Sequence, residues 1–158
     1  MVVKPSQDNA TITLTQRGER RRNLGELFLV ISGGPLDWQL LSITQIFTQL
    51  TPLLVGVKTL TFSKHPSSPP GEEGVESTQW LELFRPFVKV WSVRVTELLA
   101  PDVALALGGV TNDDAPGVLP SLLSLSLERC RNYPSVREAA ERFVAARQLS
   151  GCRVCLLG

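Results

Sequence analysis

VWSVRV, residues 90–95, is the third of four segments whose spacing decides how this chain folds. Val90, Val93 and Val95 stand in an L-x-x-L-x-L pattern. The pattern recurs as Leu24, Leu27 and Leu29, as Val57, Leu60 and Phe62, and as Leu122, Leu125 and Leu127. The first members lie 33, 33 and 32 residues apart (24 to 57, 57 to 90, 90 to 122). One triplet means little in a chain that is 43% hydrophobic, but four at an even interval mark a repeat. Each sits in a run that alternates with period two and favours β-branched or large apolar residues: Leu27 to Ile31, Lys58 to Phe62, Trp91 to Val95 and Leu123 to Leu127. These runs predict strands.

Between them the period changes. Leu36, Leu40, Ile43, Phe47 and Leu50 step by four, three, four and three, as one face of a helix requires, and Pro52 is expected to end that helix. Trp80, Phe84 and Phe87 repeat the logic in the second unit, with Pro86 in the last turn. The third unit has Leu98, Val103, Ala106 and Leu107, then a turn-like stretch from Thr111 to Gly117. In the fourth, Ser135 and Glu138 have the spacing of a capping box. Val136, Ala139, Ala140, Phe143 and Val144 give that helix an apolar face, Glu138 and Arg142 an i, i+4 ion pair, and Gly151 a stop. A last short strand is expected at about 153–157.

Strand and helix alternating at a fixed period imply parallel strands with helices stacked behind them. The expected fold is α/β, a leucine-rich-repeat-like open solenoid: a parallel sheet of about five strands, helices on its outer face, and an N-terminal capping hairpin. One domain spans 1–158, with the cap and a basic turn at 1–23 and repeat units at 24–56, 57–89, 90–121 and 122–158. In the cap, Thr11 to Gln16 alternates, with Ile12 and Leu14 on one side. It is expected to pair with Glu26 to Ser32 across the turn at 18–23 and to cover the first edge of the sheet. The Pro-, Ser- and Gly-rich stretch from His65 to Glu76 reads as an exposed loop. Two other folds share features of this pattern. Ankyrin and tetratricopeptide repeats have a similar period but would not place β-type triplets at the repeat position. A flavodoxin-like sheet has the same alternation but does not require one triplet in every strand.

Composition narrows the function. Sixteen Lys and Arg against 15 Asp and Glu leave the chain almost neutral, which gives no electrostatic basis for binding nucleic acid or an anionic membrane. The longest apolar stretch, Leu98 to Val110, is broken by Pro101 and Asp102. Met1 to Ala10 is too polar for a signal peptide. Three cysteines, an odd number, fit free thiols in a reducing compartment, so an intracellular location in cytoplasm or nucleus is expected.

WLELFRPFVKVWSVRV at Trp80 to Val95, with ELLAPDVALALGGVT, VLPSLLSLSLE and RFVAARQLSG further on, resembles the C-terminal region of fungal F-box proteins with degenerate leucine-rich repeats. PLDWQLLSITQIFTQL at Pro35 to Leu50 is similar to the segment before it, and the likeness runs from about Thr11 to Leu157. The resemblance implies the substrate-recognition repeats of a ubiquitin-ligase receptor. No F-box-like helical segment precedes the repeats, so the ligase adaptor is not expected to bind this chain directly.

Motifs that suggest chemistry have plainer readings. Cys152 and Cys155 form a C-x-x-C with Cys130 upstream, but the single histidine, His65, lies far away and residues three apart on a strand point to opposite faces. Buried or half-buried thiols are expected, without metal or cofactor. Arg17, Arg20, Arg21 and Arg22 suit a solvated hairpin turn better than a nucleic-acid contact. Gly33-Gly34 lacks the lysine and hydroxyl of a phosphate loop. One histidine in a loop supplies no base for a serine triad. Trp38, Trp80 and Trp91 read as core or rim packing.

What remains is the stripe between the triplet positions. If the triplets face inward, Glu26, Phe28 and Val30, Thr59, Thr61 and Ser63, Ser92, Arg94 and Thr96, and Ser124, Ser126 and Glu128 face outward. The expected function is therefore a non-catalytic protein–protein interaction module. Phe28, Thr59, Thr61, Ser92, Arg94, Ser124, Ser126 and Glu128 are its candidate partner-binding residues, and Phe28 its aromatic anchor. A small flavodoxin-like enzyme domain and a truncated repeat fragment without independent function are the alternatives.

Overall fold

Apolar residues two apart on successive strands bury themselves together only by lining up in rows across a sheet. The computed structural model describes residues 9–17, 23–32, 36–64, 75–96, 98–111, 117–128 and 133–157; of residues 9–17, 23–32 and 64 it describes the backbone. In it β3 (Thr59–Lys64), β4 (Ser92–Val95), β5 (Ser124–Leu127) and β6 (Cys155–Leu157) run parallel and in sequence order. Phe62 stands beside Val95 and Val95 beside Leu127, while Leu60, Val93, Leu125 and Leu156 form the next row. The triplets of the last three repeats, Val57 to Leu127, are all buried. Backbone bonds repeat with them. Trp91 N–H donates to Lys58 O, Ser124 N–H to Trp91 O and Cys155 N–H to Leu123 O, while Thr96 N–H to Phe62 O is matched by Glu128 N–H to Val95 O.

The hairpin forms, but not where the sequence places it. β1 (Asn9–Arg17) pairs antiparallel with β2 (Asn23–Ser32) and also with β3, so the order is β2-β1-β3-β4-β5-β6. Among the described residues four strands run parallel, not about five, because β2 joins the sheet only through the antiparallel β1, and β2 rather than β1 is the first edge of the six-stranded sheet. The cause is geometric. A five-residue connection keeps β1 beside β2, whereas β2 reaches β3 through the 19-residue helix α1 (Leu36–Leu54), and a crossover of that length spans an intervening strand. Between β2 and β3, Ile12 has Leu29 and Phe62 as neighbours and Leu14 has Leu27 and Leu60. At the edge each would have one.

Helices α1, α2 (Ser77–Phe84), α3 (Ala100–Gly108) and α4 (Pro134–Leu149) pack in chain order, each on the next, over the triplet face. Parallel neighbours joined in sequence by right-handed crossovers put every helix on one side. Among the described residues the result is an α/β sheet with four parallel strands and four helices that does not close on itself. Phe62 meets Trp80 and Phe84 edge-on, at centroid distances of 5.9 and 5.7 Å, and Phe47 meets Phe87 at 5.2 Å. These rings close the core between α1, α2 and β3.

Two helix ends and one ion pair depart from expectation. Leu40, Ile43 and Phe47 are buried as the period requires, but α1 continues past Pro52 to Leu54. Proline has no N–H for the carbonyl of Thr48, and the Thr51 hydroxyl donates to that oxygen instead, at 2.9 Å. On α4 the capping box does not form. Pro134, with its φ already helical, occupies the first turn and Ser135 falls inside the helix. The ion pair on α4 joins Arg137 to Glu141 (2.7 Å), and first that hydrogen bond, then the charge of Glu141, raise the pKa of Arg137. Gly151 stops the helix with φ +80.

Candidate functional site

The face opposite the helices is built by the alternation that builds the core. Across it, Phe28, Thr13, Thr61, Arg94, Ser126 and Leu157 share one row of the register. Glu26, Thr15, Thr59, Ser92, Ser124 and Cys155 share the next. Val30, Thr11 and Ser63 begin a third. Every candidate residue except Glu128 therefore lies in two adjacent rows, and Glu128 follows β5 directly, its carboxylate reaching back to Arg94. Thr59, Thr61, Ser92, Ser124 and Ser126 are half-buried by their neighbours, as short side chains on a flat sheet are, and Arg94 and Glu128 are exposed. The side chains of Phe28, Glu26 and Val30 lie outside the described residues, so the aromatic anchor is placed by register alone.

Reading the residues alone missed the contribution of β1. Thr11, Thr13 and Thr15 stand in the middle of the face, between β2 and β3. Their signal was present in TITLT, where the threonines alternate with Ile12 and Leu14. A strand assigned to the sheet's edge did not put them there. With them, β1, β3, β4 and β5 carry seven hydroxyl residues in the two main rows (Thr13, Thr61, Ser126, Thr15, Thr59, Ser92 and Ser124) and one cation, Arg94, with Thr11 in the third row beside them.

Each hydroxyl can donate and accept, so such a face pairs with peptide groups of either polarity. Ser and Thr also lose little rotamer freedom on contact. Arg94 Nε lies 3.4 Å from Glu128 Oε1, with the two side chains 60% and 44% exposed. An ion pair this open contributes little to stability, which leaves both groups available to a ligand.

No family model matches this chain. No curated protein and no solved structure matches it either. What the surface does must be argued from its own chemistry.

The other candidates come apart in space. Cys152 lies in the turn after α4, its N–H donating to Arg147 O, and Cys155 opens β6; both are free thiols. Cys152 is half-buried as expected, but Cys155 is exposed, because it stands on the solvent face of a three-residue edge strand. Among the described residues no three His, Cys, Asp or Glu side chains gather in a way that would hold a metal ion. Cys130, His65, Arg20, Arg21, Arg22, Gly33 and Gly34 lie outside the described residues. A depression of about 600 Å³ is lined by Gln148, Gly151, Arg153, Val154 and Cys155, at the β6 end of the second row. Trp80 is wholly buried, whereas Trp38 and Trp91 reach solvent. Among the described residues no helix is long and apolar enough to cross a membrane.

Arg147 is the polar residue the sequence did not single out. It is fully buried on the core side of α4, one turn beyond Phe143, and its Nη2 donates to Pro120 O at 2.8 Å and Leu119 O at 3.3 Å. Leu119 has φ 50, the left-handed region that a leucine seldom enters. Arg147 thus holds the strained turn that delivers β5, and hence Ser124 and Ser126, to the sheet.

Proposed function

We propose that this chain is a leucine-rich-repeat-like solenoid segment and a non-catalytic protein-binding module, which recognises its partner through the open sheet face. The observation that supports this most is the continuity of the Ser/Thr rows across four strands, interrupted by a single solvent-accessible Arg94–Glu128 pair. A surface of that kind supplies hydrogen bonds and shape, which is what recognition of a protein requires. The partner is a protein, recognised as the target-binding repeats of an F-box ubiquitin-ligase receptor recognise theirs. The resemblance at Trp80 to Val95 supports that class of partner. Adaptor binding is not part of the proposal, and the free thiols suit an intracellular setting.

A flavodoxin-like enzyme is the weaker reading. Such folds place their ligand where the strand order reverses, between helices on opposite faces. Here the order does reverse, at β1/β3, but β1 runs antiparallel to both of its neighbours and the helices pack in succession over one face, so among the described residues no crevice between helices of opposite faces opens there.

The test is co-purification of the tagged chain from its native cells, comparing wild type with an Arg94→Glu, Thr61→Arg variant by mass spectrometry. The proposal expects specific partners that the folded variant loses. Partners indifferent to both substitutions would place recognition elsewhere.

A further inference from the structure

The two ends of the sheet are built differently. At one end lie β6, three residues long, and α4, whose solvent side carries Arg137, Glu138, Glu141 and Arg142. Short edges and charged outer helices are how repeat arrays end. At the other end lie β2, ten residues long with no strand on its outer side among the described residues, and α1. In 19 residues α1 has one charged side chain, Asp37 in its first turn. Trp38 (52% exposed), Leu41 (51%), Ile46 (36%) and Leu53 (71%) all project from it into solvent. Trp38, Leu41, Gln45, Gln49 and Pro52 follow one another at intervals of three, four, four and three, a straight seam along the helix, and all five are exposed. Large apolar side chains exposed together on one nearly uncharged helix are the kind of surface that marks an interaction site.

We propose that the α1/β2 end is a self-association surface, on which a second copy of this chain docks about a two-fold axis. Three features select that occupant. A two-fold axis beside an edge strand pairs the strand antiparallel with its own copy, and β2, at ten residues, offers an edge about 30 Å long. The same axis lays α1 antiparallel along its copy, seam to seam. Because the seam is uncharged, bringing it against itself sets no like charges together, whereas self-juxtaposition of α4 would face Arg137, Glu138, Glu141 and Arg142 with their duplicates. The dimer joins two six-stranded sheets into one and leaves both hydroxyl faces open, so it stands independently of the binding role proposed for them.

Sedimentation velocity of the whole chain over a hundredfold range of concentration tests this. Wild type is expected to dimerise, and Gln45→Glu, Gln49→Glu, which alters two exposed polar positions and spares the core, to weaken the dimer at least about tenfold. The opposite variant, Gln45→Lys, Gln49→Lys, is expected to be as weak alone, and an equimolar mixture of the two to recover a heterodimer. Arg142→Ala on α4 is expected to leave association unchanged. A wild-type chain that is monomeric throughout overturns the proposal. So does a dimer that ignores the α1 charges, or a charge-swapped mixture that stays monomeric.

Discussion

Replacing Gly108 by alanine should destabilise this protein, although the same change in most helices does the opposite. Alanine is better than glycine in a helix by about 1 kcal/mol, and the backbone of Gly108 lies outside the left-handed region. A Cβ there, however, would stand 2.6 Å from the Ala139 carbonyl oxygen and 2.9 Å from its Cα and Cβ. Two of those atoms are backbone, so α3 and α4 must separate to admit a methyl group. Separation loosens the packing of α3 on α4, whose core-facing residues Val103, Ala104, Leu107, Ala139, Ala140 and Phe143 are all buried. Gly108 is the last residue of α3, so only part of that helical gain applies, and of the roughly 1–3 kcal/mol that overpacking costs a net loss of about 0.5–2.5 kcal/mol remains. For a chain of this length that lowers the melting temperature by about 1–10 °C. Gly109 is the control. Its Cβ would meet nothing closer than the Leu105 oxygen at 3.5 Å, so Gly109→Ala should be neutral or stabilising. Urea unfolding of both variants, followed by circular dichroism with slopes compared, gives the two signs. A Gly108→Ala variant as stable as wild type would refute the close packing of α3 on α4.

Other consequences follow from single contacts. Arg147→Ala removes a fully buried side chain and leaves the carbonyls of Leu119 and Pro120 without their guanidinium donor, at a cost of about 2–4 kcal/mol in urea unfolding. Arg147→Lys should recover only part of this, because an ammonium cannot present the same planar fork. Of the three tryptophans Trp80 alone is buried, and its indole N–H has no hydrogen-bond partner among the described residues. The Trp38→Phe, Trp91→Phe variant should therefore emit to the blue of wild type and resist iodide quenching. A quenchable, red-shifted Trp80 would mean that the α2 core is open.

The strands and helices that were legible in the sequence were those whose period is enforced by burial on one side. The triplets at Val57, Val90 and Leu122 were readable because every member is buried, and the α1 stripe because Leu40, Ile43 and Phe47 face one core. The place of β1 was not readable. An alternating strand offers the same pattern to either neighbour, and only the length of the β2–α1–β3 crossover decides which side it takes. The threonines of β1 were lost from the candidate face for that reason. Ser135 and Glu138 had capping-box spacing, but Pro134 in the first turn fixed the helix start two residues earlier, with Tyr133 rather than Ser135 at the cap position. Arg147 was hidden by its type, since an arginine near a helix end reads as solvated until the Leu119–Pro120 carbonyls arrive from the repeat before it.

The most direct test of recognition through the open sheet face is photo-crosslinking in native cells. A photoreactive amino acid placed at Thr61, in the central row, should capture a discrete protein, and the same group at Arg142, on the outer side of α4, should not. Capture from Arg142 with none from Thr61 would contradict the account and move the binding surface to the helices.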